Sequence, residues 1–424
     1  MFQHPNQPIL LYEGSMELLY NQQSIQGTGV LNFTWLPSPR ITFEMDISSP
    51  EFDFNRMEWL HLRSIIDQDY GELALSDLGL NTKVGTVVWR TSKAVGWLQS
   101  PITIINGSAN KLQYLNFYLV NFCDSKNRQI ILESQDWKIT IEPLQNLSQL
   151  IREVKDSGGY TITHIAKLER CDSKTFSPAQ ANELLEALFY FLSFARGLWI
   201  APILPKGFDI DGNQAWQEWR LWKVDFWKNV TRSGSSSQFA QRFYNTFSGF
   251  LDRWLNCSWR ESLRIAIDWY VESNSTGVNI EGSIILAQAG LELLCSVVLE
   301  EQRKKALKQE FAKRRPIFSR KLEELLLQSE VSLEVPLDLI GLRKLSESKK
   351  ANISNGAKVL AKLRNNLTHP EEDNRQELFT LFKSTQVRVE ALILSLWYIE
   401  VVLLRCFGYH EDNINDFVHF HVSY

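Results

Sequence analysis

Hydrophobic spacing changes character along this chain. Up to about residue 170, short runs of β-branched and aromatic residues alternate with polar ones. They are GVLNFTW (29–35), RITFEMDI (40–47), VGTVVWR (84–90), LQYLNFYLVNF (112–122) and IILESQDWKITI (130–141). Pro, Gly, Asn and Asp turns separate them, so each run predicts a strand. A short helix is expected over 144–155 and a further strand over 160–168. Residues 1–170 therefore predict a β-rich sandwich or barrel-like domain.

A punctuated helix follows. Ser177 is placed to cap it, Pro178 takes the first helical position and Gly197 stops it. Leu184, Leu185, Leu188, Phe191, Leu192 and Ala195 give it a wide apolar face. Beyond it lie GFDIDG (207–212), a run containing Trp216, Trp219, Trp222 and Trp227, and the linker-like SGSSS (233–237). Residues 171–275 predict a mixed α/β middle region. From 276 to 424 the spacing is helical, over 284–301, a basic segment 303–321, 322–327, 355–367 and 376–407. Short connections predict an antiparallel all-α bundle. The expected class is α+β: a β-rich N-terminal domain, a mixed middle and a C-terminal helical bundle.

Composition narrows the classes. The 424 residues suffice for two to four domains, and 44% hydrophobic with 22% charged content is ordinary for a soluble globular chain. A net charge of −4 gives no global attraction to nucleic acid, so an RNA-binding face has to be local. The five cysteines (Cys123, Cys171, Cys257, Cys295, Cys406) form no C-x-x-C pair, so neither a zinc site nor a disulfide framework is indicated. The start, MFQHPNQPILLYEG, lacks a basic region and a long apolar core, unlike a signal peptide. The apolar stretch 389–407 contains Glu390, Glu400 and Arg405, which fits a buried helix better than a membrane span. A cytoplasmic protein without membrane contact is expected. No P-loop, G-x-S-x-G, H-E-x-x-H or dinucleotide fingerprint occurs, so no cofactor or metal is expected.

The candidate chemistry lies at Arg364-Asn365-Asn366-Leu367-Thr368-His369. Arginine matches a phosphate with a planar, permanently charged fork, and histidine titrates near neutral pH and moves protons. Spacing alone does not single this site out, because Arg56…His61 and Arg405…His410 share the offset. Context separates them. Met57 follows Arg56 in the β-rich region, and Gly408 interrupts the third motif. Val359, Leu360, Leu363 and Leu367 give the helix around Arg364 a buried face, and Pro370 ends it at or near His369.

The segment KLRNNLTHPEE, within the expected helical domain, resembles the HEPN superfamily over about residues 276–410. The resemblance implies that Arg364 and His369 are catalytic and that Asn365 positions them. It implies an acidic residue on an early helix, which Glu292 matches loosely, a homodimer in which two motifs meet, and a sensing or regulatory role for residues 1–170. It also implies a place among toxin or antiphage ribonucleases.

The chemistry implied by this resemblance is metal-independent. The ribose 2′-OH is an internal nucleophile, His369 serves as base or acid, and Arg364 stabilises charge on the phosphate. The products are 2′,3′-cyclic phosphate ends. The competing readings remain open. Arg364 is then a solvated helix residue, His369 a helix cap, and the bundle a non-catalytic dimerisation scaffold beside a ligand- or protein-binding N-terminal domain.

Other features carry their own alternatives. Lys304, Lys308, Arg314 and Arg315 in RKKALKQEFAKRRPIFSRK form either an RNA-binding stripe or a solvated helix face. GFDIDG lacks the spacing of a calcium loop and predicts a hairpin turn. The Trp run predicts a strand with an aromatic buried face, or alternatively a stacking platform. The trigger acting on the N-terminal domain is not legible.

Overall fold

The computed structural model describes residues 4–20, 23–47, 71–85, 87–90, 92–106, 111–123, 128–227, 244–275, 279–305, 317–347, 354–368 and 384–410. The chain divides into two compact units. One comprises residues 1–131, 135–189 and 200–229, and the other residues 132–134, 190–199 and 230–424. Residues 171–275 thus contribute to both. The mixed class is α+β, with two sheets toward the N-terminus and helices filling the C-terminal half.

The first sheet has seven antiparallel strands. They are β1 (Ile9–Tyr20), β2 (Gln23–Thr34), β3 (Arg40–Ile47), β4 (Gly71–Leu75), β5 (Leu80–Val84), β6 (Val88–Arg90) and β7 (Lys93–Trp97), in the order β5-β4-β1-β2-β3-β7-β6. Val84 bridges Leu98, and Gly85 N and Gln99 N donate to Trp97 O and Lys83 O, each at 2.9 Å. These bonds tie the end of β5 to the end of β7 and close the sheet on itself as a barrel, leaving the short β6 as an edge. Every second side chain points inward, Met16, Leu18, Leu31, Phe33, Phe43 and Met45 among them, because strand side chains alternate faces.

The second sheet is also seven-stranded and antiparallel, in the order β10-β11-β12-β9-β13-β14-β8. Its strands are β8 (Ile102–Ile105), β9 (Tyr114–Val120), β10 (Ile130–Glu133), β11 (Trp137–Pro143), β12 (Ile162–Arg170), β13 (Pro202–Phe208) and β14 (Gln214–Trp219). The run expected as one strand over 130–141 is two, because Gln135 and Asp136 turn the chain. The β13–β14 hairpin closes through Asp209, whose carboxylate accepts from Asp211 N and Asn213 N, and Gly212 supplies the positive φ of 80°. Trp216 and Trp219 of β14 are buried, so these two serve the core. Helix α1 (Leu147–Ser157) packs Leu147, Leu150 and Val154 inward. Helix α2 (Pro178–Arg196) starts with a capping box. Gln180 N donates to Ser177 Oγ at 3.3 Å, and Ser177 N donates to Gln180 Oε1 at 3.0 Å. It stops at Gly197, whose φ of +59° only glycine adopts freely.

The helical unit contains α3 (Phe247–Leu255), α4 (Cys257–Ser273), α5 (Ile280–Lys305), α6 (Phe318–Gln328), α7 (Ile340–Glu347), α8 (Gly356–Thr368) and α9 (Thr385–Cys406). Helix α9 is central, packing against α4, α5, α6, α7 and α8. Its four charged residues are all engaged, Arg388 pairing with Glu281 of α5. Glu390 accepts from Gly341 N and Leu342 N, Glu400 accepts from the Tyr270 hydroxyl, and Arg405 donates to Ser329 O and Tyr409 O. Such pairing is what permits charges inside an apolar helix cluster. Helix α5 is long and apolar enough to cross a membrane by length and composition, yet 56% of that stretch is buried in the protein.

Candidate functional site

Helix α8 carries the candidate arginine on its flank. Ala357, Val359, Leu360 and Leu363 are buried and fix which way the helix faces. Arg364 then projects toward α5, where its Nη1 lies 2.7 Å from Glu292 Oε2. The Arg364 guanidinium also sits over the Phe318 ring at 5.3 Å, on the first residue of α6. A carboxylate and a ring face therefore restrict one cation from two different helices.

One turn earlier, the same two helices make a second link. Gln288 Nε2, fully buried on α5, donates to Leu360 O at 3.0 Å. Gln288 and Glu292 are separated by one turn, as are Leu360 and Arg364. The pairs form successive rungs between α5 and α8. A third link joins α6 to α8, where Glu323 accepts from Asn355 Nδ2 at 2.7 Å and lies 3.7 Å from the Lys358 ammonium. The buried thiol of Cys295, just beyond Glu292 on α5, is pushed up to about 12 by its burial, with Glu292 adding to the shift and Lys321 opposing it.

The structure thus brings together two of the residues expected from sequence, Arg364 and Glu292. Asn365 is exposed on α8. Helix α8 is described as far as Thr368, and His369, with the stop expected at Pro370, lies outside the described residues. Lys304 is on the last turn of α5, and Lys308, Arg314 and Arg315 lie outside the described residues. Sequence reasoning missed Gln288 and Phe318. The signal for Gln288 was a lone amide in the apolar run IILAQAGLELL, one turn before Glu292. Of the two motifs with the same offset, Arg405 serves the fold, with its side chain 8% exposed and 3.2 Å from Glu330, and Arg56…His61 lies outside the described residues. Among the described residues, no three His, Cys, Asp or Glu side chains converge as a metal site would require.

A barrel-containing β-rich unit and a helical unit built around α9 define a two-unit α+β protein. Its central and C-terminal parts are similar to named domain families: residues 107–230 match the YopA central domain and residues 256–422 the YopA C-terminal domain. Over 431 aligned residues the chain is 23% identical to the SPbeta prophage-derived protein YopA of Bacillus subtilis (strain 168), covering 97% of this chain and 92% of that one. No solved structure matches significantly.

These matches overturn the HEPN resemblance. The region that carried it matches the YopA C-terminal domain, and no HEPN family is found. The physical reason is the brevity of the motif. An arginine near a helix end, followed by a histidine at the next turn, arises readily on amphipathic helices, as Arg405…His410 shows in this same chain. The homodimer implied by that resemblance no longer has its support.

Proposed function

We propose that the helical unit is a metal-independent endoribonuclease acting at the end of α8. The observation that carries this reading is the Arg364–Glu292 pair at 2.7 Å, about one turn before Thr368, the last described residue of α8. A phosphate-binding arginine works best when its orientation is set before substrate arrives, and Glu292 with Phe318 supplies that preorganisation. In the reaction His369 takes the proton of the ribose 2′-OH, whose oxygen attacks the adjacent phosphorus. The bond to the 5′-oxygen breaks, that oxygen takes up a proton, and a 2′,3′-cyclic phosphate remains. Arg364 stabilises the charge that grows on the phosphate oxygens. The prophage origin of the similar Bacillus protein supports a setting in conflict between phage and host, inside the cell.

The test is direct. Purified full-length protein is incubated with total RNA in EDTA and the ends are analysed for cyclic phosphate. Cleavage is expected, and Arg364→Ala and His369→Ala are each expected to abolish it. Full cleavage by either variant would overturn the reading.

A second reading has its own observation. The rungs Gln288–Leu360 and Glu292–Arg364 are also what a purely architectural lock between α5 and α8 requires. The unit is then a binding scaffold. No cleavage by the wild-type protein, together with a loss of stability in Arg364→Ala, decides for it.

A further inference from the structure

The β-rich unit contains a cleft of about 370 Å³, within the range of small-molecule sites, which run from about 300 to 1,000 Å³. Its residues come from the first turn of chain before the barrel, from the β2–β3 connection and from the outward face of the second sheet. Trp35, Tyr118 and Tyr160 supply ring walls, and Gln7, Lys206 and Gln217 supply polar groups.

The register explains why these groups converge. Lys206 of β13 pairs with Asn116 of β9 on one side and Gln217 of β14 on the other. Tyr118 lies two residues from Asn116 and so shares its face. The opposite face of β9, with Leu115, Phe117 and Leu119, is fully buried. The half-buried outer face therefore aligns a phenol, an ammonium and an amide across three neighbouring strands.

The walls are rigid. Trp35 stacks on Tyr160 with centroids 5.9 Å apart and planes 18° from parallel, and its indole nitrogen donates to Gln7 O at 2.7 Å. The chain is also distorted here. Leu204, which lines the cleft, has a φ of +51°, and the register of β13 slips between Ile203 and Lys206. A branched residue in the left-handed region is strained, and bulges of this kind re-aim side chains beside functional sites. Lys206 follows the slip directly. Its ammonium has no ion-pair partner among the described residues, and no acidic side chain lines the cleft.

We propose that this cleft binds a small anion carrying a flat ring, with Lys206 facing the negative group and the aromatic walls taking the ring. Lysine is a compact point charge suited to a phosphate or carboxylate, and aromatic walls accept any planar ring. A nucleoside monophosphate and an aromatic carboxylate share this chemistry. The site stands independently of the proposed ribonuclease.

The experiment is isothermal titration calorimetry on the full chain. The probes are AMP, indole-3-acetate, adenosine and inorganic phosphate. Saturable binding of AMP or indole-3-acetate is expected, at least tenfold tighter than adenosine and than phosphate alone. Whichever anion binds more tightly distinguishes the phosphate source from the carboxylate. Lys206→Met keeps the apolar stem and is expected to weaken that binding at least tenfold with an unchanged thermal midpoint. Tyr118→Phe serves as a second variant and is expected to retain the ring contact. No saturable binding of either ringed anion would overturn the proposal. So would an unchanged affinity in Lys206→Met, or phosphate binding as tightly as AMP.

Discussion

Arg364 of α8 and Glu292 of α5 meet at 2.7 Å, while the side chains remain 31% and 39% exposed. An ion pair this accessible contributes only about 0.2–1 kcal/mol, since solvent screens it and ordering two long side chains costs entropy. Glu292→Gln is therefore expected to change the unfolding free energy by less than about 1 kcal/mol. If the pair orients Arg364 for catalysis, the same change lowers RNA cleavage by roughly 10- to 100-fold, because small misplacements of a catalytic group are costly. Urea unfolding and single-turnover cleavage measured on one preparation separate the two effects. Equal activity in Glu292→Gln and wild type would remove Glu292 from the site.

Gly356, the first residue of α8, leaves no room for a side chain. A Cβ there would stand 2.2 Å from the Tyr398 hydroxyl oxygen, and Tyr398 is fully buried in α9. That hydroxyl has no hydrogen-bond partner among the described residues. Gly356→Ala is expected to cost about 1–3 kcal/mol by overpacking. Tyr398→Phe removes the clashing oxygen and a buried unsatisfied group, so alone it is neutral or stabilising by up to about 1 kcal/mol. The double variant should return to within about 1 kcal/mol of wild type. A double variant as unstable as Gly356→Ala would show that the obstruction lies elsewhere.

The legible parts of this protein are those whose signals are local. Ser177, Pro178 and Gly197 bound α2 because capping and left-handed geometry act within a few residues. Arg364 and Glu292 were both named through a family resemblance that did not survive, and their contact was not legible, because it depends on how α5 packs against α8. Barrel closure was not legible. It depends on Val84 meeting Leu98 across a sheet whose order is set by non-local pairing. The insertion of β13 and β14 between β9 and β8 was hidden likewise. Helices α3 and α4 went unseen because Trp254, Trp259 and Tyr270, read as part of an aromatic mixed region, are in fact core positions of the helical unit.

Glu390 holds the start of α7 from a different helix. Its two carboxylate oxygens accept from Gly341 N at 3.1 Å and Leu342 N at 2.8 Å, at a residue only 6% exposed. These are the donors that a helix start leaves without internal partners, and a negative charge there also suits the helix dipole. Glu390→Leu fits the apolar surroundings of α9 but strands both amides. A loss of about 2–3 kcal/mol is expected in urea unfolding, with Glu390→Gln losing less because its amide oxygen still accepts. Hydrogen exchange should rise at Gly341 and Leu342 in the leucine variant. Unchanged exchange at both amides would mean that other groups satisfy them.

Cys295 links stability to alkaline pH. Its thiol is buried on α5, and burial pushes it from the ordinary value of 9.0 up to about 12. Below pH 9 the thiol is protonated whether the chain is folded or not, and this group makes no pH-dependent contribution. Between 9 and about 12 the unfolded chain sheds the proton while the folded chain keeps it, so stability falls as pH rises. The expected slope is about 1.4 kcal/mol per pH unit for this one group. Urea unfolding at pH 8, 9 and 10 follows the fall, to which the Cys406 thiol, pushed up by burial over the same range, also contributes, as does Tyr398 from about pH 10; the Cys295→Ala variant separates the Cys295 share. Cys295→Ala should reduce the fall between pH 9 and 10 by about 1 kcal/mol, because the unfolded thiol is only half ionised at pH 9 and the full slope is reached above that. Thiol labelling at pH 8 gives an independent check: Cys171 and Cys257 are exposed and should react in the native protein, and Cys295 only after unfolding. Rapid native labelling of Cys295 would contradict the burial on which this pH dependence rests.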